Sequence, residues 1–160
     1  MSKLRQIQTR ELDRFRGFQN AAKLVFFKGE LSVTLEATLF EIATPGISDE
    51  DVVLEAYPDG SNPIEDGAER SIEEMVASVH EVLSIPKAYW QTHNRVREII
   101  ENDLREAYWE HLKACFDYKE ARIIELGSDI PWVTMGAGFT YVLYAPDMSR
   151  CLLLVGNQTD

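Results

Sequence analysis

Two side chains capable of metal or nucleophile chemistry stand one helical turn apart in this chain, His111 and Cys115. A histidine and a thiolate at that spacing form half of a tetrahedral zinc site. Leu112 and Phe116 share their face, and no CxxC or HxxxH accompanies them. The spacing therefore predicts a packed histidine beside a packed thiol, with no metal. The other histidines, His80 and His93, fall in no His-Glu-x-x-His or Glu-x-x-His arrangement, and His93 is expected at the core boundary with its polar tip toward water. Cys115 and Cys151, the only cysteines, both lie among apolar neighbours and read as buried reduced thiols rather than a bridge.

Motifs for phosphate and acyl chemistry are missing. No Gly-x-x-x-x-Gly-Lys-Ser/Thr or Gly-x-Ser-x-Gly occurs, and Gly136-Ala137-Gly138 is too short for a dinucleotide fingerprint. Those glycines suit a bulge or a close backbone approach instead. Asp103, Glu106 and Glu110 fall near one helix face, but solvated carboxylates are poor general acids unless burial raises their pKa. No catalytic residue, metal or cofactor is assigned.

Charge is the more informative signal. The chain carries 27 Asp or Glu against 16 Lys or Arg, a formal charge of −11. Residues 1–28 hold seven bases and two acids, a local +5. Residues 49–74 hold ten acids and one base, a local −9. Such a cluster repels nucleic acid and anionic membranes and steers a basic protein toward it. It does not follow the spacing of a calcium-binding EF-hand loop.

The elements that must carry these residues are readable in outline. The 160 residues predict one domain, 1–160, with an acidic loop region around 47–70. Residues 3–22 place Leu4, Ile7, Leu12, Phe15, Phe18 and Ala22 along an approximate helical stripe. Residues 24–42 read as a hairpin turning at Lys28-Gly29, with a helix continuing through Phe26 as the competing assignment for its first half. Its second half, Leu31 to Leu39, alternates apolar with polar residues as a strand buried on one face does. Ser48 before Asp49, Glu50 and Asp51 permits either a capped short helix or a strand from Val52 to Tyr57. Pro58 to Ala68 reads as a solvated loop.

Ser71-Ile72-Glu73-Glu74 has capping-box spacing and predicts a helix that ends at Pro86. From Lys87 to Phe116 neither proline nor glycine interrupts a helical pattern of apolar residues. At 1.5 Å per residue that helix is about 45 Å long, enough to overhang a small domain or meet a second copy of the chain. Arg97, Glu101 and Arg105 read as exposed pairs one turn apart, each adding about 0.2–0.5 kcal/mol. Arg122 to Leu126, Trp132 to Met135, Phe139 to Ala145 and Cys151 to Val155 then read as a meander, with a turn at Pro146 to Ser149. The predicted class is α+β: an N-terminal hairpin and a C-terminal meander in one antiparallel sheet, packed against three helices, one of them long.

The functional expectation is a cytoplasmic acidic protein that binds and occludes a basic partner, as immunity proteins occlude cationic toxin domains. The opening residues have neither the continuous apolar segment nor the small-residue cleavage site of a secretory signal, and no apolar run reaches the ~20 residues that cross a bilayer. The partner-binding residues would be Asp49, Glu50, Asp51, Glu55, Asp59, Glu65 and Asp66, with Tyr57 among them. Direct contact with nucleic acid or membrane is not expected. The alternative is a small-molecule-binding or regulatory domain, or a motif-poor enzyme, with a pocket of Trp132, Phe139, Tyr141 and Tyr144 between the long helix and the terminal sheet. A third reading is a homodimer formed through that helix.

Overall fold

The computed structural model describes residues 2–27, 32–59, 67–85, 94–127 and 137–159. Along the chain these form β1 (Leu4–Gln6), α1 (Arg10–Phe27), β2 (Ser32–Ile42), α2 (Asp49–Ala56), β3 (Ala68–Arg70), α3 (Ile72–Val82), α4 (Asn94–Cys115), β4 (Arg122–Glu125), β5 (Ala137–Tyr144) and β6 (Arg150–Thr159). The strands make one antiparallel sheet in the order β1-β2-β6-β5-β4-β3. The class is α+β, with four described helices where three were expected.

Both faces of the sheet are covered, and the pleat sorts the residues between them. Leu35, Ala37 and Leu39 of β2, Phe139, Tyr141 and Leu143 of β5, and Leu152 and Leu154 of β6 face a large core shared with α1, α3 and α4. Their neighbours Phe40, Val142, Tyr144, Cys151, Leu153 and Val155 face a smaller core closed by Val52 and Val53 of α2. Each large apolar side chain taken fully from water contributes about 1.5–3 kcal/mol.

The N-terminal strand pair exists, but its first strand is Leu4–Gln6, paired with Phe40 to Ile42, and not Leu24 to Phe27. Residues 24–27 continue α1, so the competing helical assignment describes them. The reason lies in packing: Ala22 and Phe26 extend the stripe of Leu12 and Phe15 into the large core, while Leu24 is left 70% exposed. The turn at Lys28-Gly29 lies outside the described residues. Helix α1 begins later than the apolar stripe suggested, because the Thr9 hydroxyl accepts the Leu12 N–H at 3.1 Å and Leu4 turns to the opposite face of the sheet.

Residues 49–56 are a helix and not a strand. Ser48 accepts the Asp51 N–H at 3.1 Å and Asp51 accepts the Ser48 N–H at 2.9 Å, a complete capping box. Ser71 and Glu74 form a second one and start α3 as expected. The stretch read as one loop from Pro58 to Ala68 ends in a short exposed strand, β3, against β4. Of the predicted helix from Lys87 to Phe116, residues 94–115 are helical, and residues 87–93, which include His93, lie outside the described residues. The expected strand Trp132 to Met135 and Gly136 lie outside them too. The turn at Pro146 to Ser149 is present: the Asp147 carboxylate accepts from Ser149 N–H and Oγ at 3.0 and 2.6 Å, and Met148 takes φ 56°.

Candidate functional site

Short helix α2 carries much of the acidic cluster, and the sheet holds it at both ends. Before it packs, its first turn holds three acids, Asp49, Glu50 and Asp51, which the positive end of the helix favours. Once packed, Tyr144 of β5 donates its hydroxyl to the Asp49 carboxylate, and Tyr57, just beyond the helix, donates to Glu36 of β2. Burial and the facing carboxylates push both phenols well above their ordinary value of 10.0, so both stay protonated donors. Val52 and Val53 fill the space between these two anchors.

The expected partner-binding residues are therefore not equivalent. Asp49 and Tyr57 face inward and are engaged by the protein's own sheet. Asp51 closes the capping box and pairs with Lys3 at 3.5 Å; the Ser48 backbone bond, ahead of Lys3, holds its carboxyl below the usual carboxylate range. Glu50, Glu55 and Asp59 are exposed and pair with no described cation. Leu54 stands between them, 40% exposed. Glu65 and Asp66 lie outside the described residues.

Other acids are tied to the chain's own arginines. Arg5 pairs with Glu41, and Arg70 pairs with Glu125 at 2.7 Å and Glu74 at 3.5 Å. These pairs are exposed and add little stability, but they consume part of the acidic excess. Of the described acids between residues 49 and 74, Glu50 and Glu55 of α2, Asp59 just beyond it, and Glu69 and Glu73 remain exposed with no ion pair to a described cation.

A polar cluster that the sequence reading placed in solvent joins α3 to α4. Glu101 accepts the Ile85 N–H at 2.8 Å and lies 3.0 Å from Arg105 and 3.6 Å from Arg97. Arg97, buried, donates to the Ile85 carbonyl at 3.2 Å. Arg105 donates to the His80 carbonyl at 3.2 Å and to Ser84 Oγ at 2.9 Å. Gln158 of β6 adds bonds to the Val82 and Ser84 carbonyls. Together these groups satisfy the carbonyls that a helix C-terminus leaves unpaired. Trp109 donates its indole N–H to His80 Nε2 at 2.9 Å, which requires a neutral imidazole there.

The residues proposed for an aromatic pocket do not converge. Phe139 and Tyr141 are buried in the large core, whereas Tyr144, an odd number of residues away, is on the other face of the sheet with α2. Trp132 lies outside the described residues. Trp109 is half-buried against Tyr108, Tyr118 and His80. His111 stacks on Phe18 with ring centres 5.3 Å apart, and Cys115 donates to the Leu112 carbonyl. Burial pushes the thiols of Cys115 and Cys151 up to about 11 and about 12, and the two sit on opposite sides of the sheet, both reduced. Among the described residues no group of three or more His, Cys, Asp or Glu side chains could hold a metal ion. No described helix is long and apolar enough to cross a membrane.

The fold defines a class that solved structures share. No protein-family model matches the chain, and no curated protein sequence matches it significantly. Citrus MAF1 is similar in fold: its crystal structure in space group P 31 2 1 superposes with a TM-score of 0.57 over 92% of this chain and 98% of that one, at 14% identity. The form in space group C 2 2 21 gives the same TM-score and identity over 93% of this chain. At that identity the likeness is one of architecture.

Proposed function

We propose that the protein is an acidic binding protein that occludes a basic protein partner, immunity-like in mode, through the outer face of α2. One observation carries the reading: Glu50 and Glu55 of α2 and Asp59 just beyond it are exposed, beside an exposed Leu54, and pair with no described cation, and the helix is anchored from beneath by Tyr144 and Tyr57. A preorganised surface loses little entropy on binding. Its acidic rim raises the encounter rate with a cation while a central apolar side chain adds desolvated contact. The same carboxylates disfavour phosphate, and hence nucleic acid or an anionic membrane, at this surface.

The test is stopped-flow association with a panel of cationic nuclease domains at rising salt. A cognate domain should associate with the wild type quickly at low salt and more slowly as salt screens the field. Glu50→Lys, Glu55→Lys and Asp59→Lys combined should slow association by about tenfold or more and flatten the salt dependence. Equal rates for the variant and the wild type with a bound domain, or binding by none of the panel, defeat the reading. Self-association through α4 is a separate proposal that rests on exposed Val96 and Ile99; a monomer mass by light scattering at high concentration removes it.

A further inference from the structure

Strand β2 has 11 residues, but β1 pairs with only Phe40 to Ile42. On that side the Leu39 carbonyl accepts the Ile7 N–H at 2.9 Å, and the Ala37 carbonyl accepts Arg16 Nε and Nη2 at 3.0 and 2.9 Å. Backbone groups on one strand edge recur every second residue. The N–H and C=O groups of Leu35 and Val33 therefore point out of the same edge, where no described strand pairs with them. Leu35 is 2% exposed, so its groups are reached only from the cleft beside this edge, where an unpaired strand is a template for another extended chain.

A cleft of about 270 Å³ runs between this edge and α1, with Arg16, Gln19, Lys23, Leu35, Glu36 and Tyr57 in its lining. Gln19 is the unusual member. It is 1% exposed, and neither its Oε1 nor its Nε2 has a hydrogen-bond partner among the described residues. A buried amide without partners is costly, and an apolar side chain would fill the site better unless something else completes its bonds. One acceptor and two donors match a peptide group.

Charge narrows the choice of occupant. The cleft lies against α1, which supplies Arg16 and Lys23 at the cleft and exposed Arg10 and Arg14 farther along, all within the cationic first 28 residues. The unpaired carbonyls of Val33 and Leu35 call for N–H donors, which a phosphate does not have. A peptide offers alternating donors and acceptors to such an edge, whereas a DNA backbone offers no donors and an RNA backbone only its 2′-OH.

We propose that this cleft binds an extended, acidic peptide segment of a partner protein as an added strand. Its main chain pairs with Val33 and Leu35, one peptide group completes the hydrogen bonds of Gln19, and a carboxylate sits against Lys23. This is a second interaction site, of opposite charge preference to α2.

The test uses short fluorescent peptides that alternate Val or Thr with Glu, a matched set with Lys in place of Glu, and a third set N-methylated at alternate amides. The Glu set should bind with Kd below about 1 mM, and the other two at least about tenfold more weakly. Hydrogen exchange at the Val33 and Leu35 amides should slow when a Glu peptide binds. Gln19→Leu should raise the melting midpoint of the free protein by about 2–5 °C while weakening peptide binding about tenfold, a split that a structural glutamine would not produce. Val33→Pro, tolerable at a strand edge, should abolish slowed exchange and binding without unfolding the sheet. The proposal is overturned if no Glu peptide binds, if N-methylation is harmless, if Gln19→Leu lowers the midpoint and leaves affinity unchanged, or if a single-stranded oligonucleotide binds the cleft better than the Glu peptides.

Discussion

The Tyr144 hydroxyl donates to the Asp49 carboxylate across 95 residues of sequence and ties the first turn of α2 to the middle of the sheet. It makes the acidic helix part of the rigid body instead of an appendage. Its partner at the other end is the bond from Tyr57 to Glu36.

Replacing Tyr144 with Phe keeps the ring in the smaller core and removes only this bond. A hydrogen bond to a charged group is worth about 1.5–3 kcal/mol, and the loss should appear as that reduction in urea unfolding. The amides of Val52 and Val53 should exchange faster in the variant. An unchanged midpoint would show that α2 is held by its valines alone.

Glu101 is the hub of the α3–α4 junction, facing Arg97, Arg105 and the Ile85 N–H. Glu101→Gln removes the less exposed of the two carboxylates beside buried Arg97, the other being exposed Glu98 at 3.8 Å, and breaking such a pair from one side costs about 3–5 kcal/mol. Arg97→Met with Glu101→Leu should recover part of that loss, because the double variant removes the buried Arg97 charge while leaving Arg105 without its carboxylate. Thermal unfolding of both variants decides it.

His80 accepts a hydrogen bond from Trp109, and burial, then Arg105, lowers its pKa from the ordinary 6.5 against an opposing pull from Glu101. Protonation is thus harder in the folded chain than in the unfolded one. Stability is full above pH 6.5, falls as pH drops through 6.5 because the unfolded state takes up the proton first, and levels off once the folded His80 is protonated as well. Over the same window Trp109 fluorescence should change as its acceptor is lost. His80→Gln, which keeps an acceptor but cannot titrate, should flatten both curves; a wild-type slope that persists in the variant would place the proton elsewhere.

Some elements were legible because their signals are local. Ser71 and Glu74 announce α3 through the capping box, the alternation in β2 and the turn at Pro146 to Ser149 are short-range patterns, and α4 keeps one apolar stripe. Others were ambiguous because the local signals conflict. Leu24 to Phe27 has strand propensity, yet Ala22 and Phe26 extend a helical stripe into a core whose far wall is β2, β5 and β6. Ser48 caps a helix whose valines would serve a strand equally well, and only the sheet face beneath it selects the helix.

The candidate site divides in the same way. The order of residues alone placed the acidic excess between residues 49 and 74 and showed that the familiar catalytic motifs are missing. Which acids remain free depended on distant partners: Asp49 is taken by Tyr144 and Asp51 in part by Lys3, while Glu50 and Glu55 face outward. Likewise Arg97, Glu101 and Arg105 look solvated at their helical spacing until α3 lays its C-terminal carbonyls against them.

Amino-acid order determined the charge asymmetry, the helix starts and the two-residue rhythm of the strands, since each depends on neighbours a few positions apart. Tertiary packing decided which carboxylates reach solvent, which face of the sheet each aromatic occupies and where a strand edge stays open. Those outcomes turn on contacts between residues far apart in the chain, whose energies no local pattern encodes.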